Sequence, residues 1–371
     1  MGRTFVGFAG WCVVLSTTVL DAADDTKVVE PFLVRSRSDS AVFSPNSELC
    51  LMGDGALINL SRKNLLNDFK SLGAATFHPN SRMLAMITDF KFVLHDIRLK
   101  KDLLKVSLLG HGESSTRDIG QRSAFTSDGK WFLTTGYQDE PDHPRALFIF
   151  DFEKRKLAKA IGLGKSTQVG IALLPDDERV LIATDKLRLL EFESAETVWE
   201  RPLPKQTRWF WCDPKGASVF VRYQIKNIDE VQVAPLEKPE PPQVVLTAPT
   251  LRRVISSHDG TAIFGIESQG LLLRRVLPDQ PVENVEAHEG DIEALALSPD
   301  GKYVITGGSD WRLRVWNAKT LEPVCFLRPA RATVRRIEVS PDGKYLAAVV
   351  GSDTYIWTMA SIQSLAKSVL K

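Results

Sequence analysis

The chain has 371 residues, of which 43% are hydrophobic and 25% are charged, the composition of an ordinary globular protein. Its formal net charge of +1 excludes a general electrostatic attraction to nucleic acid or to an anionic membrane surface, so neither is expected as the main partner. The four cysteines show no C-x-x-C spacing that would indicate a metal or redox site, and we expect neither a metal nor a cofactor.

The first 23 residues differ from the rest of the sequence. Arg3 precedes an apolar run over residues 5–20, and acidic residues follow at 21–25. A short basic segment, an apolar core and small residues before a polar boundary are typical of a secretory signal peptide. We therefore expect residues 1–23 to direct export to the periplasm or the extracellular space. The alternative is an uncleaved membrane anchor over residues 5–20, and only in that case do we expect contact with a membrane.

Short alternating apolar stretches, each interrupted by a turn rich in Ser, Pro, Asp and Gly, recur along the remaining chain. A period of two is typical of β-strands, and each turn is followed by a further short strand. The turns contain, in order, Pro45, Pro79, Ser127, Pro175, Pro214, His258, Pro299 and Pro341. Their spacing of 34 to 48 residues lies around the roughly 40–45 residues of a four-stranded repeat unit. The pattern covers residues 27–357 without a long linker, and it predicts a single all-β domain.

A polar insertion interrupts the third repeat unit and is predicted to protrude from it. Loops on a rigid scaffold often carry binding residues, so the insertion is a candidate contact loop. Its candidate residues are Gln138, Asp139, Glu140, Asp142 and His143.

Trp209-Phe210-Trp211 is the densest aromatic cluster of the sequence. Strict alternation along a strand places Trp209 and Trp211 on one face and Phe210 on the other. We favour packing between neighbouring sheets, and an exposed aromatic contact site is the alternative.

Three pairs of adjacent arginines also lie within strand patterns. They are Arg252-Arg253, Arg274-Arg275 and Arg335-Arg336. Because neighbouring strand residues point to opposite faces, we predict solvated or edge charges here rather than one basic patch.

The most specific pattern lies in Ala287–Asn317, which reads AHEGDIEALALSPDGKYVITGGSDWRLRVWN. Three alternating apolar runs are separated by two turns that contain Gly where a positive φ is needed. A histidine precedes the first run, a threonine ends the second, an aspartate lies in the second turn and a tryptophan closes the third. This stretch resembles one WD40 repeat. The resemblance implies a hydrogen-bonded tetrad of His288, Thr306, Asp310 and Trp316 inside the blade of a β-propeller.

The resemblance implies a β-propeller of four-stranded antiparallel blades. The eight turns favour eight blades, and seven blades are the alternative. A closed ring requires the last blade to borrow a strand, and we predict that residues 27–35 supply the outer strand of the eighth blade. Residues 358–371 are predicted to form a short C-terminal helix, for which Ser361 is the expected N-cap.

A second, partial tetrad is implied in the third unit by His111, Thr135 and Asp139. The WD40 resemblance further implies a non-enzymatic scaffold that binds a protein or peptide, acting outside the cytoplasm if the signal directs export. The alternatives are a lactonase-like or quinoprotein-like propeller enzyme and an extracytoplasmic sensor of ligands or carbohydrates that uses the central channel. The sequence predicts no catalytic residue.

Overall fold

The computed structural model describes residues 31–35, 38–69, 74–88, 91–107, 123–137, 145–164, 170–237, 241–362 and 364. Within these residues the chain forms 32 β-strands in eight four-stranded antiparallel sheets, which are the blades of an eight-bladed β-propeller. The predicted fold class is confirmed, and the count is eight blades rather than seven.

The first four blades follow the chain without crossovers. Blade 1 contains β2 (Ala41–Phe43), β3 (Leu49–Met52), β4 (Ala56–Asn59) and β5 (Asn64–Asp68). Blade 2 contains β6 (Ala74–Phe77), β7 (Met83–Thr88), β8 (Lys91–Asp96) and β9 (Lys101–Ser107). Blade 3 contains β10 (Ser123–Phe125), β11 (Trp131–Tyr137), β12 (Arg145–Asp151) and β13 (Lys156–Gly164). Blade 4 contains β14 (Gly170–Leu173), β15 (Arg179–Ala183), β16 (Lys186–Glu191) and β17 (Glu196–Pro202).

The other four blades follow the same order, and the last of them takes one strand from the start of the chain. Blade 5 contains β18 (Thr207–Cys212), β19 (Ser218–Ile225), β20 (Ile228–Pro235) and β21 (Gln243–Ala248). Blade 6 contains β22 (Leu251–Ser256), β23 (Ala262–Glu267), β24 (Leu271–Val276) and β25 (Glu283–Glu286). Blade 7 contains β26 (Ile292–Leu297), β27 (Tyr303–Gly308), β28 (Leu313–Asn317) and β29 (Pro323–Leu327). Blade 8 contains β30 (Val334–Val339), β31 (Tyr345–Val350), β32 (Asp353–Thr358) and β1 (Leu33–Arg35).

Strand β1 closes the ring, as predicted from residues 27–35. It pairs with β32 in antiparallel register, with Leu33 opposite Ile356. A side-chain bond adds to this closure, because the Thr354 hydroxyl donates to the Ser38 carbonyl at 2.9 Å. The outer edge of blade 8 is therefore covered by residues from the other end of the chain.

The hydrophobic core is divided into layers between neighbouring blades. Each of eight buried clusters is formed by two adjacent blades, including one between blade 8 and blade 1. In the layer between blades 6 and 7, Trp316 packs in the same cluster as Phe264 and is fully buried. A blade alone buries neither face, so stability depends on the complete ring.

The recurring turns join the first and second strands of each blade, and their sequence pattern satisfies the backbone locally. In blade 7, Ser298 Oγ donates to Asp300 Oδ1 at 2.6 Å, and Asp300 Oδ1 accepts the Lys302 N–H at 3.1 Å. Tyr303 N then donates to Ser298 Oγ at 3.0 Å. The serine and aspartate of this repeated motif are thus structural residues of a turn.

The two ends of the ring differ in their loops. We call the end with the turns between first and second strands the lower end. The upper end has the connections between blades and the turns between second and third strands. At the lower end neighbouring blades are bonded to each other: His78 Nε2 is 2.9 Å from the Gly129 carbonyl, and Asp342 N donates to Ser47 Oγ at 3.1 Å. Polar groups of these lower turns therefore form hydrogen bonds to the neighbouring blade of the ring.

The C-terminal helix has a different N-cap from the one that the sequence predicted. Helical residues start at 359, and Thr358 Oγ1 accepts the Ser361 N–H at 3.3 Å. Thr358 is therefore the N-cap, and the expectation for Ser361 was wrong, because the last strand runs directly into the helix. Ile362 is buried against blade 7 and blade 8 residues. Across the described residues, no helix has the length and apolar character needed to cross a membrane.

Candidate functional site

The four residues of the implied tetrad lie together inside blade 7. Trp316 Nε1 donates to Thr306 Oγ1 at 2.9 Å, and Thr306 Oγ1 lies 2.8 Å from His288 Nε2. His288 Nδ1 lies 2.8 Å from Asp310 Oδ1. These three contacts are satisfied together when the threonine hydroxyl donates to Nε2 and Nδ1–H donates to the carboxylate. Arg314 Nη1 also lies 2.7 Å from His288 Nδ1.

Three different segments bring the tetrad together. Thr306 and Trp316 lie on the second and third strands of blade 7, whereas His288 precedes its first strand and Asp310 lies in an upper turn. Gly308 makes the approach of the imidazole possible, because a Cβ at this position would lie 2.5 Å from His288 Nδ1. The glycine is required here for space.

Arg314 completes this polar cluster, and the sequence did not reveal its role. Its Nη1 donates to Asp310 Oδ2 at 2.5 Å, and its side chain is almost fully buried. Burial alone would raise the Asp310 pKa, but the bonds from His288 and Arg314 hold it well below its ordinary value. Burial lowers the pKa of His288, and the positive charge of Arg314 lowers it further. The cluster therefore contains a neutral imidazole between an ionised carboxylate and a threonine.

This geometry does not suit a catalytic His–Asp pair. The His288 side chain has no exposed surface, and its Nε2 is already occupied by the threonine hydroxyl. A general base must reach the proton of a substrate within hydrogen-bond distance. The tetrad instead links the connection before blade 7, the upper turn of this blade and two of its strands by hydrogen bonds.

Two predicted groups of site residues lie partly or wholly outside the described residues. Thr135 is buried on the second strand of blade 3, but His111 and Asp139 lie outside the described residues. The candidate contact loop of Gln138, Asp139, Glu140, Asp142 and His143 also lies outside them.

The pairing register keeps Trp209 and Trp211 on one face of their strand, opposite Arg222 and Phe220, but the two side chains differ in exposure. Trp211 is partly buried, with its ring stacked on Phe220 at a centroid distance of 5.1 Å, and Phe210 is buried. The Trp209 side chain is 50% exposed. The pairing register shifts between Thr207 and Trp209, so a β-bulge interrupts the alternation of side chains at Arg208, before Trp209.

The same irregularity corrects the prediction for two of the arginine pairs. The register shifts between Leu251 and Arg253 in blade 6 and between Val334 and Arg336 in blade 8. Both arginines of each pair are exposed on the first strand of their blade, near the upper end. The predicted solvated charges are therefore found, but the alternation of faces assumed for them fails, because the strands are not regular at these positions.

A buried ion pair holds the start of the blade 6 strand in place. Arg222 Nε lies 3.2 Å from Asp229 Oδ1, and Asp229 Oδ2 accepts the Leu251 N–H at 3.1 Å. Arg222 also donates to the carbonyl oxygens of Leu251 and Arg252. No sequence motif indicated this contact between blades 5 and 6.

In the described part of the chain, pockets open between neighbouring blades. One of about 330 Å³ lies between blades 4 and 5 and is lined mainly by apolar groups, including Leu203 and Val221. The other, of about 320 Å³, lies at the lower end between Pro299 and Pro341. In the part of the chain that the structure describes, no three His, Cys, Asp or Glu residues are grouped as metal ligands.

Comparisons with known proteins agree with the seventh blade as the best-preserved repeat. The family model described as "WD domain, G-beta repeat" matches residues 279–317. Eukaryotic translation initiation factor 3 subunit I of Coccidioides immitis is 31% identical over 101 residues, which are 27% of this chain and 29% of that protein. Two further relatives are matched over only 8% and 7% of their length. The chain thus spans less than a third of each of these relatives.

Solved structures match over much more of the chain. The structure titled "Structure of Dos1 propeller" covers 89% of this chain and 95% of its own, with a TM-score of 0.69 and 13% identity. A chain of Kuenenia stuttgartiensis hydrazine synthase covers 80% of this chain and 97% of its own, with a TM-score of 0.54 and 16% identity. Identities this low show a common fold alone. The chain is therefore an eight-bladed β-propeller that contains a WD40 repeat at residues 279–317.

Proposed function

We propose that the chain is a non-enzymatic scaffold that binds a protein or peptide partner at the upper end of its ring. The main support is a group of exposed apolar side chains on blade 5, Trp209, Ile225 and Ile228, which we call the blade 5 apolar group. Their exposed fractions are 50%, 46% and 42%. All three lie where the first strand begins or the second strand turns into the third.

Such a group suits protein recognition. Large apolar side chains exposed at one end of a soluble protein are typical of contact sites, and tryptophan is enriched among energetically dominant interface residues. Ile225 and Ile228 flank a tight turn at Lys226-Asn227, both of which have positive φ, so the turn is well defined. A preformed surface loses little conformational entropy on binding.

Replacement of the blade 5 apolar group by serine should abolish capture of the specific partner. The tagged full chain would be recovered from its native cells, and co-purified proteins quantified by mass spectrometry. The matched control replaces Val198, Val244 and Leu157, which are exposed on outer strands, by serine. We expect the control to retain the partner. Equal recovery with both triple variants would contradict the proposal, and a stoichiometric metal or quinone absorbance in the purified chain would favour the enzyme alternative.

We also propose that the protein acts outside the cytoplasm. The support is the basic residue followed by the apolar run at residues 5–20. A chain tagged at its C-terminus should be found in the exported fraction, with a mass that lacks about residues 1–23. Recovery of the full-length mass from the membrane fraction would instead support the anchor, and recovery from the cytosol would contradict export.

A further inference from the structure

Three blades present pairs of exposed side chains at the upper end of their first strands. We call these six residues the arginine rim. They are Arg208 and Trp209 in blade 5, Arg252 and Arg253 in blade 6, and Arg335 and Arg336 in blade 8. In each blade the register shift next to the pair breaks the alternation, which explains why both side chains are exposed. First strands border the central channel of a propeller, so the rim lies at the channel mouth.

The positive charge of the rim is only partly neutralised. Arg252 donates to Asp291 at 2.5 Å and to Glu293 at 2.6 Å, so its charge is balanced inside the ring. Arg208 donates to the neutral amide oxygen of Gln224. Within the described chain, Arg253, Arg335 and Arg336 form no ion pair.

The positive charges of Arg253 and Arg336 interact electrostatically, although blade 7 lies between their blades. Blade 7 has the uncharged Ala294 at the equivalent position of its first strand. Burial lowers the pKa of Arg253, and the charge of Arg336 lowers it further. Glu338 faces both arginines, and burial raises its pKa. Glu293 also acts on Arg253. The five arginines of the rim thus lie near three carboxylates, those of Asp291, Glu293 and Glu338, which leaves an excess of positive charge.

We propose that the arginine rim binds an acidic peptide segment of the protein partner. Side-chain carboxylates of the segment would lie on Arg253, Arg335 and Arg336, and an apolar side chain on Trp209. Guanidinium groups bind carboxylates through paired, charge-assisted hydrogen bonds. An exposed indole offers a large apolar surface next to these charges. This inference rests on the proposed function and specifies the chemistry of its partner.

The arrangement favours an acidic peptide over single-stranded nucleic acid. Nucleic-acid sites combine a continuous basic groove with several aromatic side chains for stacking. The rim has a single exposed tryptophan, and Asp291, Glu293 and Glu338 are interspersed with its arginines. A phosphate backbone would be repelled by these carboxylates, whereas a peptide can place its own acidic residues between them.

The test measures fluorescence anisotropy of a short labelled peptide of Asp and Glu residues around one Phe. A peptide with Asn and Gln in place of the acidic residues is the reference ligand. The variant R253Q/R336Q is compared with R62Q/R98Q, which removes the same charge from exposed positions in lower turns. Thermal unfolding of both variants checks that each remains folded.

We expect the acidic peptide to bind the full chain at low salt and the amide peptide to bind at least about tenfold more weakly. R253Q/R336Q should weaken binding of the acidic peptide by about tenfold or more, whereas R62Q/R98Q should change it less than about twofold. No binding to the unmodified chain, or equal losses in the two variants, would overturn the inference. Stronger binding of labelled oligothymidine than of the peptide would overturn it too. None of these results contradicts the proposed function, provided that partner capture still depends on the blade 5 apolar group.

Discussion

Replacement of Asp310 by alanine should lower the free energy of unfolding by about 3–5 kcal/mol, the usual cost of breaking a buried ion pair from one side. Asp310 accepts from Arg314 at 2.5 Å and contacts His288 at 2.8 Å, and all three side chains are almost fully excluded from solvent. Without the carboxylate, the Arg314 guanidinium stays buried without its anion, and the imidazole loses the acceptor of its Nδ1–H. We expect the midpoint of thermal unfolding to fall by roughly 5 °C or more.

Asp300→Ala is the matched control, because Asp300 also accepts hydrogen bonds in a turn of blade 7 but is half exposed. Its loss should cost only about 1 kcal/mol, since water can replace the carboxylate. Addition of Arg314→Leu to Asp310→Ala should recover part of the lost stability, because an apolar side chain replaces the unpaired charge. Equal effects of the two single replacements would show that the blade 7 cluster contributes no more than an ordinary turn.

The sequence predicted the fold because one local structure is repeated in every blade. In blades 6, 7 and 8 a serine, an aspartate and the backbone N–H two residues further on satisfy each other within the lower turn, as at Ser340, Asp342 and Lys344. Such a turn requires its residue types at fixed spacing whatever surrounds it. The number of turns therefore predicted the number of blades, even where the tetrad residues are missing.

The sequence did not predict the arginine rim, because a β-bulge has no distinctive residue pattern. Alternation in a regular strand assigns Arg252 and Arg253 to opposite faces, and the bulge exposes both. Trp209 and Trp211 lie on one face of a regular stretch, yet only Trp209, nearer the upper end, is widely exposed. Which strands border the channel is decided by closure of the whole ring. The apolar pattern within a single strand therefore does not reveal it.

The contribution of Arg314 was hidden for a related reason. It lies on a strand four residues after Asp310, and its guanidinium reaches the carboxylate only because the intervening turn reverses the chain. Arg222 and Asp229 are also brought together across a hairpin, and they act on a third strand in the next blade. Contacts between blades are set by packing, so a single sequence does not show them.

Removal of residues 1–35 should cause the largest loss of stability that we predict for this chain, because it opens the ring. Blade 8 would lose the pairing of Leu33 with Ile356 and the backbone bond from Phe32 N to the Ile356 carbonyl at 2.9 Å. Phe32 also packs against Tyr345 at a centroid distance of 5.6 Å. Two apolar side chains at about 2 kcal/mol each and several backbone bonds at about 1 kcal/mol each amount to at least about 5 kcal/mol.

The control is a truncation that removes only residues 1–30 and retains Pro31 to Arg35. In thermal unfolding we expect the longer truncation to lower the midpoint by roughly 10 °C relative to the control. The exposed edge of β32 should also pair with other chains, so size-exclusion chromatography should show larger species. If the two truncations unfold at the same temperature and remain monomeric, β1 is not needed for closure. In that case blade 8 would be stable with three strands, and its contacts with blades 7 and 1 would suffice to hold the ring.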